Sequence, residues 1–207
     1  MTRIQLVTDS TADIPPGTRQ ALGIEMVPLK VHFGEETYLG GITMESAEFY
    51  KKLAAFPGLP TTSQPSPIDF YQLYKELAAE PGTQIISIHL SSAFSGTYQS
   101  AVLAKSMLEK EQAVDITIID SRTAAYGVGL LVVAAAEAAR AGKGRDEIVE
   151  LVHRLRKETS LYFLVDTLEY LQKGGRIGKA SAVLGSLLNI KPILSIDDDG
   201  EVTAVDK

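Results

Sequence analysis

Ile85-Ile86-Ser87-Ile88-His89-Leu90-Ser91-Ser92-Ala93-Phe94-Ser95-Gly96-Thr97-Tyr98-Gln99-Ser100 is the stretch that decides how the chain is read. Its first six residues form a short apolar run of the kind that fills a buried strand, and the residues after Gly96 carry the period of an amphipathic helix. A strand that gives way to serine and glycine at a helix start gathers hydroxyls and free backbone N–H groups at one point, which suits a small anion. A second hydroxyl-rich segment, Thr61-Thr62-Ser63-Gln64-Pro65-Ser66-Pro67, reads as a loop of similar chemistry. Neither segment holds the His, Cys or carboxylate cluster that would turn a hydroxyl into a nucleophile, and no nucleophile–base pair is visible. The pair suits holding an anionic head group. The competing reading is that Ser92 or Ser95 only caps a helix and the Thr/Pro segment is only a turn.

Outward from this point, strand-like runs alternate with helical periods. Residues 4–8 read as a buried strand, followed by Asp9-Ser10-Thr11-Ala12-Asp13 and a helix start at Pro15-Pro16. Residues 24–33 read as one second strand ending in a Gly34-Glu35-Glu36 turn. Helices are expected over 46–55, 69–79, 96–111, 124–141 and 146–158, and a further strand over 115–120. This order predicts an α/β fold, a mostly parallel sheet with helices on both faces, over residues 1–158. In such sheets ligands sit beyond the carboxyl ends of the strands. Asp9-Ser10-Thr11, Ser91-Ser92 and Asp120-Ser121-Arg122 all take that position.

From Leu161 the pattern shortens: a strand over 161–165, helices over 166–172 and 180–188, and a hairpin of 192–196 with 201–205 across Asp197-Asp198-Asp199-Gly200. Residues 159–207 therefore read as a smaller α+β unit. Two or three strands make a poor independent sheet, so this unit is expected to be cut short.

Composition narrows the chemistry. Among 207 residues 45% are hydrophobic and 22% charged, with a net charge of -6, which disfavours a nucleic-acid partner. The absence of cysteine excludes disulfides, Cys-ligated zinc and thiol nucleophiles, and His32, His89 and His153 lack ligand spacing, so no metal or cofactor is expected. No signal-peptide pattern or membrane-length apolar run is present, which makes a cytoplasmic location the default and leaves room only for transient contact with a membrane surface. Gly174-Gly175-Arg176-Ile177-Gly178 reads either as a phosphate-binding turn or as a helix C-cap followed by a surface Arg. Asp9, Asp13 and Asp120 read either as general bases or as caps, and the acidic 197–200 turn as a solvated hairpin tip.

These motifs resemble the DegV family of bacterial fatty-acid-binding proteins, of the type that serves fatty acid kinase. The likeness rests on residues 7–13 (Val-Thr-Asp-Ser-Thr-Ala-Asp), on 60–66, on 90–99, on Ile119-Asp120-Ser121 and on 167–177, ending Gly174-Gly175-Arg176-Ile177. It implies an EDD fold of two α/β domains with a tunnel between them for one long-chain fatty acid such as palmitate, stearate or oleate. By the same resemblance Thr61, Thr62, Ser63, Ser92, Ser95 and Gly96 would grip the carboxylate. Arg176 would lie near the exposed head group and the docking surface of a separate kinase subunit, to which the acid is presented for acyl-phosphate formation. The protein itself would not be an enzyme. Family members continue beyond the position of Lys207, with another Arg-containing segment and a late His near the carboxylate. Burying about fifteen methylenes gains on the order of 10 kcal/mol gross, so the tail would supply affinity and the hydroxyls register. The alternative is an enzyme on a small carboxylated or phosphorylated metabolite, using Asp9 or Asp120 as base.

Overall fold

The computed structural model describes residues 3–184 and 191–206. From the N-terminus, β1 (Arg3–Asp9) runs through a 3-10 turn at Ser10–Ala12 into α1 (Pro16–Leu22). Then come β2 (Glu25–Val27), β3 (Lys30–Phe33), β4 (Glu36–Leu39), α2 (Ser46–Ala55), β5 (Thr61–Ser63) and α3 (Pro67–Ala78). β6 (Thr83–His89), α4 (Thr97–Leu108), β7 (Asp115–Asp120), α5 (Tyr126–Arg140) and α6 (Arg145–Glu158) follow. The last elements are β8 (Tyr162–Phe163), α7 (Glu169–Lys173), a 3-10 segment at Gly178–Val183, β9 (Ile193–Ile196) and β10 (Val202–Asp206).

The central sheet is parallel in the order β2-β1-β6-β7. Successive residues of a strand face opposite sides, and this sheet is covered on both. Leu6, Ile86, Ile88 and Ile119 pack under α5 and α6, while Val7, Ile85 and Ile116 pack under Phe70 and Tyr74 of α3 and Ala101, Ala104 and Leu108 of α4. That two-sided burial is why the strands read as unbroken apolar runs. α3 starts with a reciprocal capping box between Ser66 and Asp69 and with Pro67 at its first position, earlier than the apolar period suggests.

The 24–33 run is not one strand. β2 joins the parallel sheet beside β1, whereas β3 lies in a separate antiparallel sheet of order β4-β3-β5. Pro28 separates them and has no N–H to continue the ladder. After it, the Leu29 amide leaves the sheet to donate to Ser10 Oγ at 3.0 Å. The 61–63 segment, expected as loop, is the edge strand β5, with Thr61, Thr62 and Ser63 opposite His32, Val31 and Lys30.

A third sheet, β10-β9-β8, is antiparallel and closes over Leu168, Ala180, Leu194 and Val202. The helix expected over 180–188 is represented by the 3-10 segment ending at Val183, and residues 185–188 lie outside the described residues. The acidic 197–200 turn keeps Asp198 and Asp199 exposed, as its reading as a solvated tip expects, but its last residue is docked. Gly200 is buried, Ser91 Oγ donates to its carbonyl at 2.9 Å, and Arg122 Nη1 donates to the Asp198 carbonyl at 3.2 Å. At a φ of +83°, with Ser91 Oγ only 2.2 Å from where a Cβ would stand, position 200 admits glycine alone.

No helix among the described residues is long and apolar enough to cross a membrane.

Gly129 is the tightest joint between α5 and the 3-10 turn after β1. A Cβ there would stand 2.3 Å from the Ala12 carbonyl oxygen. Gly→Ala inside a helix ordinarily stabilises by up to about 1 kcal/mol. Gly129→Ala is expected to reverse that sign and destabilise by about 1–3 kcal/mol, because a backbone must move to make room. Urea unfolding of the variant beside the parent chain measures it.

Candidate functional site

The carboxyl ends of β1, β6 and β7 meet at one edge of the parallel sheet, and their polar residues are locked together. Asp9 is buried, and its carboxylate takes four hydrogen bonds. The Thr11 amide (3.0 Å) and hydroxyl (2.5 Å) donate to Oδ1, and His89 Nδ1 (2.9 Å) and the Leu90 amide (3.3 Å) donate to Oδ2. Beyond His89 the chain of bonds continues through the buried Ser87, whose Oγ lies 2.7 Å from His89 Nε2, to the buried Tyr74 hydroxyl, which donates to Ser87 at 2.7 Å. With Tyr74 donating to Ser87, the neutral Nδ1–H tautomer of His89 lets every member of the chain donate to the next.

Asp, His and Ser in this order have the hydrogen-bond geometry of a nucleophile, its base and an orienting carboxylate. This trio is not poised for that chemistry. Ser87 and His89 are each 0% exposed, and the Phe70 ring packs edge-on against the imidazole at 4.9 Å. A substrate carbonyl has no route to Ser87. Sequence reading missed the trio, although a signal was there: Ser87 and His89 stand two apart, on one face of a buried run in which residues 85, 86 and 88 are all isoleucine. Two polar residues on a face that must be buried announce a partner from elsewhere in the fold.

Beside Asp9 opens a cavity of about 680 Å³, within the usual size of small-molecule sites. Ile14, Met26, Leu29, Val31, Met44 and Phe49 form its apolar wall; Ser10, Thr11 and Thr62 bring hydroxyls to it. All its lining residues fall between Thr8 and Ala125, so it lies under the antiparallel sheet and α2, and not against the third sheet. Backbone strain concentrates near it: Asp13 and Ala125, both lining residues, have φ of +51°. Strained non-glycine residues gather at sites that the surrounding fold over-determines.

The pleat of β5 divides the first group of expected head-group residues. Thr62 shares a face with Val31 and lines the cavity, and its hydroxyl has no partner among the described residues. Thr61 and Ser63 share the opposite face with His32, whose Nε2 lies 2.9 Å from Ser63 Oγ. In the second group, Ser92 is tied to Asp120: its Oγ donates to Oδ2 at 2.6 Å and its amide to Oδ1 at 3.3 Å. Asp120 Oδ1 also takes the Arg122 amide at 2.9 Å. Ser95 Oγ lies 2.9 Å from Thr97 Oγ1 and accepts from the Thr97 amide at 3.3 Å, at the start of α4. Gly96 touches the first group, since a Cβ there would meet the Gln64 amide nitrogen at 2.5 Å. The two hydroxyl segments are thus neighbours, joined at Gln64 and Gly96. Of the expected ligand residues, the cavity wall includes Thr62 alone.

Gly174-Gly175-Arg176 closes α7. The Gly175 amide donates to the Gln172 carbonyl and the Arg176 amide to the Leu171 carbonyl, with Gly175 at a φ of +75°, which is the Schellman pattern of a helix C-terminus. The guanidinium turns back, and Nε donates to the Phe94 carbonyl at 3.1 Å and Nη1 to the Gly174 carbonyl at 2.5 Å. No group of three or more His, Asp or Glu suited to a metal occurs among the described residues.

Burial alone would raise the Asp9 carboxyl, but the bonds from His89 and Thr11 outweigh it and hold the group below the ordinary carboxylate value. Folding therefore lowers its affinity for a proton. The stabilisation is present above the unfolded value of about 3.9 and is lost as pH falls through the lower folded one. Asp9→Asn is expected to cost about 1–3 kcal/mol at pH 7 by leaving buried donors poorly matched. It should also flatten the fall in stability below about pH 4, as urea midpoints measured across pH 3–7 will show.

Comparison with known proteins agrees with this architecture. The family model described as "Uncharacterised protein, DegV family" matches residues 3–207. A solved DegV family protein from Thermus thermophilus, described by its fatty acid binding, superposes with a TM-score of 0.89 at 40% identity, covering 99% of this chain and 71% of its own. DegV from Bacillus subtilis, described as a fatty acid binding protein, gives 0.89 at 39% identity over 100% of this chain and 72% of its own. A DegV family protein from Ruminococcus gnavus, solved with vaccenic acid, gives 0.85 at 28% identity over 99% and 72%. With sequence and backbone path in agreement from the first strand to the last, the chain belongs to the DegV family.

Proposed function

We propose that this chain binds one long-chain fatty acid without transforming it, the tail lying in the cavity beside Asp9 and the carboxylate at the meeting of the two hydroxyl segments. The observation that carries the reading is the cavity itself. It joins an apolar wall of Ile14, Met26, Leu29, Val31, Met44 and Phe49 to the hydroxyl of Thr62, which has no partner among the described residues and lies two residues before the Gln64 that meets Gly96. An apolar wall with a few placed donors suits a long chain with one polar end. The fatty acids that name the solved relatives from Thermus thermophilus, Bacillus subtilis and Ruminococcus gnavus support the same ligand class.

Within this reading Thr62, Ser95 and the amide of Gly96 are the direct holders of the carboxylate. Thr61, Ser63 and Ser92 support them, since Ser63 is engaged by His32 and Ser92 donates its proton to Asp120. Asp9 and Asp120 are poor candidates for a general base: each already accepts several hydrogen bonds as a carboxylate. On family resemblance we extend the proposal to presentation of the bound acid to a separate kinase.

Organic extraction of the purified chain followed by mass spectrometry should find acyl chains near one per protein, and added palmitate or oleate should raise the melting temperature. Absence of both effects rules the ligand out. Thr62→Val, which keeps shape and removes the hydroxyl, should weaken palmitate binding by about tenfold in isothermal titration, the worth of one hydrogen bond to a charged group. Hydrolysis of acyl esters by the pure chain, abolished by Asp9→Asn, would favour the enzyme reading.

A further inference from the structure

Among the described residues the Ser91–Gly96 segment is held by four tethers, one of them the Ser91 amide donating to the Thr123 carbonyl at 2.9 Å, and two of them come from the far end of the chain. Ser92 is tied to Asp120 at the end of β7. Ser91 donates to the Gly200 carbonyl in the turn between β9 and β10. The Phe94 carbonyl accepts from Arg176, just past α7. Phe94 is also half-buried between two cores, in contact with the α5–α6 side of the parallel sheet and with the cluster of Leu168, Ala180, Leu194 and Val202. Its backbone and its ring are therefore both fixed by residues beyond 160.

The Schellman cap explains how an Arg can do this. A left-handed residue at Gly175 reverses the chain at the end of α7, and a Cβ there would be strained. The reversal sends the Arg176 side chain back toward Phe94, where a rigid guanidinium can hold two carbonyls at once, those of Phe94 and Gly174. Both bonds are to the protein's own backbone, and neither calls for an anionic ligand.

We propose that Arg176 is a positioning residue for the fatty-acid site: through the Phe94 carbonyl it sets the conformation of the Ser92–Gly96 segment, so that the α7 turn and the third sheet control the grip on the carboxylate. This departs from the expectation that Arg176 serves the head group or a partner directly. It rests on the fatty-acid reading above, and Ser95 and Gly96 are the groups it delivers.

A double-mutant cycle tests it in the full chain, with palmitate as the probe. Arg176→Ala alone should weaken binding about fivefold or more, and Ser95→Ala alone by a comparable factor. The double variant should be little worse than either, because a segment already displaced gains nothing from the serine hydroxyl. Losses that multiply would show Arg176 acting independently of the segment and would overturn the proposal. A second readout needs no ligand. In amide NMR spectra of the lipid-free chain, Arg176→Ala should shift the signals of Ser92, Phe94, Ser95 and Gly96 while leaving those of β1 in place. Unmoved signals there would overturn the proposal, whatever the titrations give. If the parent chain binds no palmitate, the functional reading falls and this one with it.

Discussion

Everything at the working edge of this molecule depends on how one buried charge is satisfied. The Asp9 carboxylate ends β1 with its oxygens out of water, where an unmatched charge would cost several kcal/mol. Donors come from the turn that follows it and from the end of β6, eighty residues away in sequence. That requirement fixes the height of β6 against β1 at the point where both strands release their loops. The Ser10–Ala12 turn, the wall of the cavity and the Ser91–Gly96 segment are all measured from there. Asp120 repeats the device on a smaller scale at the end of β7 by gathering the Ser92 and Arg122 amides.

The two hydroxyl segments have unequal parts in this frame. Thr61–Ser63 is strand, so its side chains alternate, and only Thr62 can serve the cavity. The Ser91–Gly96 segment is irregular backbone, whose shape is dictated by what ties it down. A ligand meeting both would find one fixed donor on a sheet and a second set on a tethered loop. On the proposed reading the apolar tail of the ligand would sit under a helix, α2, none of whose ten residues is fully buried. The parallel sheet is packed on both faces, whereas α2 over the antiparallel side contributes no fully buried residue.

Much of this was legible in the residues. Apolar runs such as Ile85-Ile86-Ser87-Ile88 and the helical periods between them specify a covered parallel sheet, and the strand ends correctly mark where polar groups converge. What failed to show has physical causes. Residues 24–33 are uniformly strand-forming except for Pro28, and a single proline does not say which of two sheets each half will join. Three exposed hydroxyl residues flanked by prolines look like loop, because an edge strand with one paired side leaves no apolar alternation. The Asp9–His89–Ser87–Tyr74 chain spans three elements and cannot be seen whole by spacing along any one of them. The docking of the 197–200 turn at Gly200 was hidden because it depends on a missing side chain there and a serine more than a hundred residues earlier.

The pairing of β1 with β6 also has a consequence for how the chain is made. Arg3 lies opposite Thr83, so β1 has only the three-residue β2 along one edge until most of ninety residues have left the ribosome. The β3–β4 hairpin and β5 close over much shorter loops and can form first. During that interval Leu6 and Val7 would lie on a strand with one edge open and its faces uncovered, which is a condition under which nascent chains aggregate or call on chaperones. The pace at which residues 10 to 90 emerge would then bear on the yield of folded protein alongside the stability of the finished sheet.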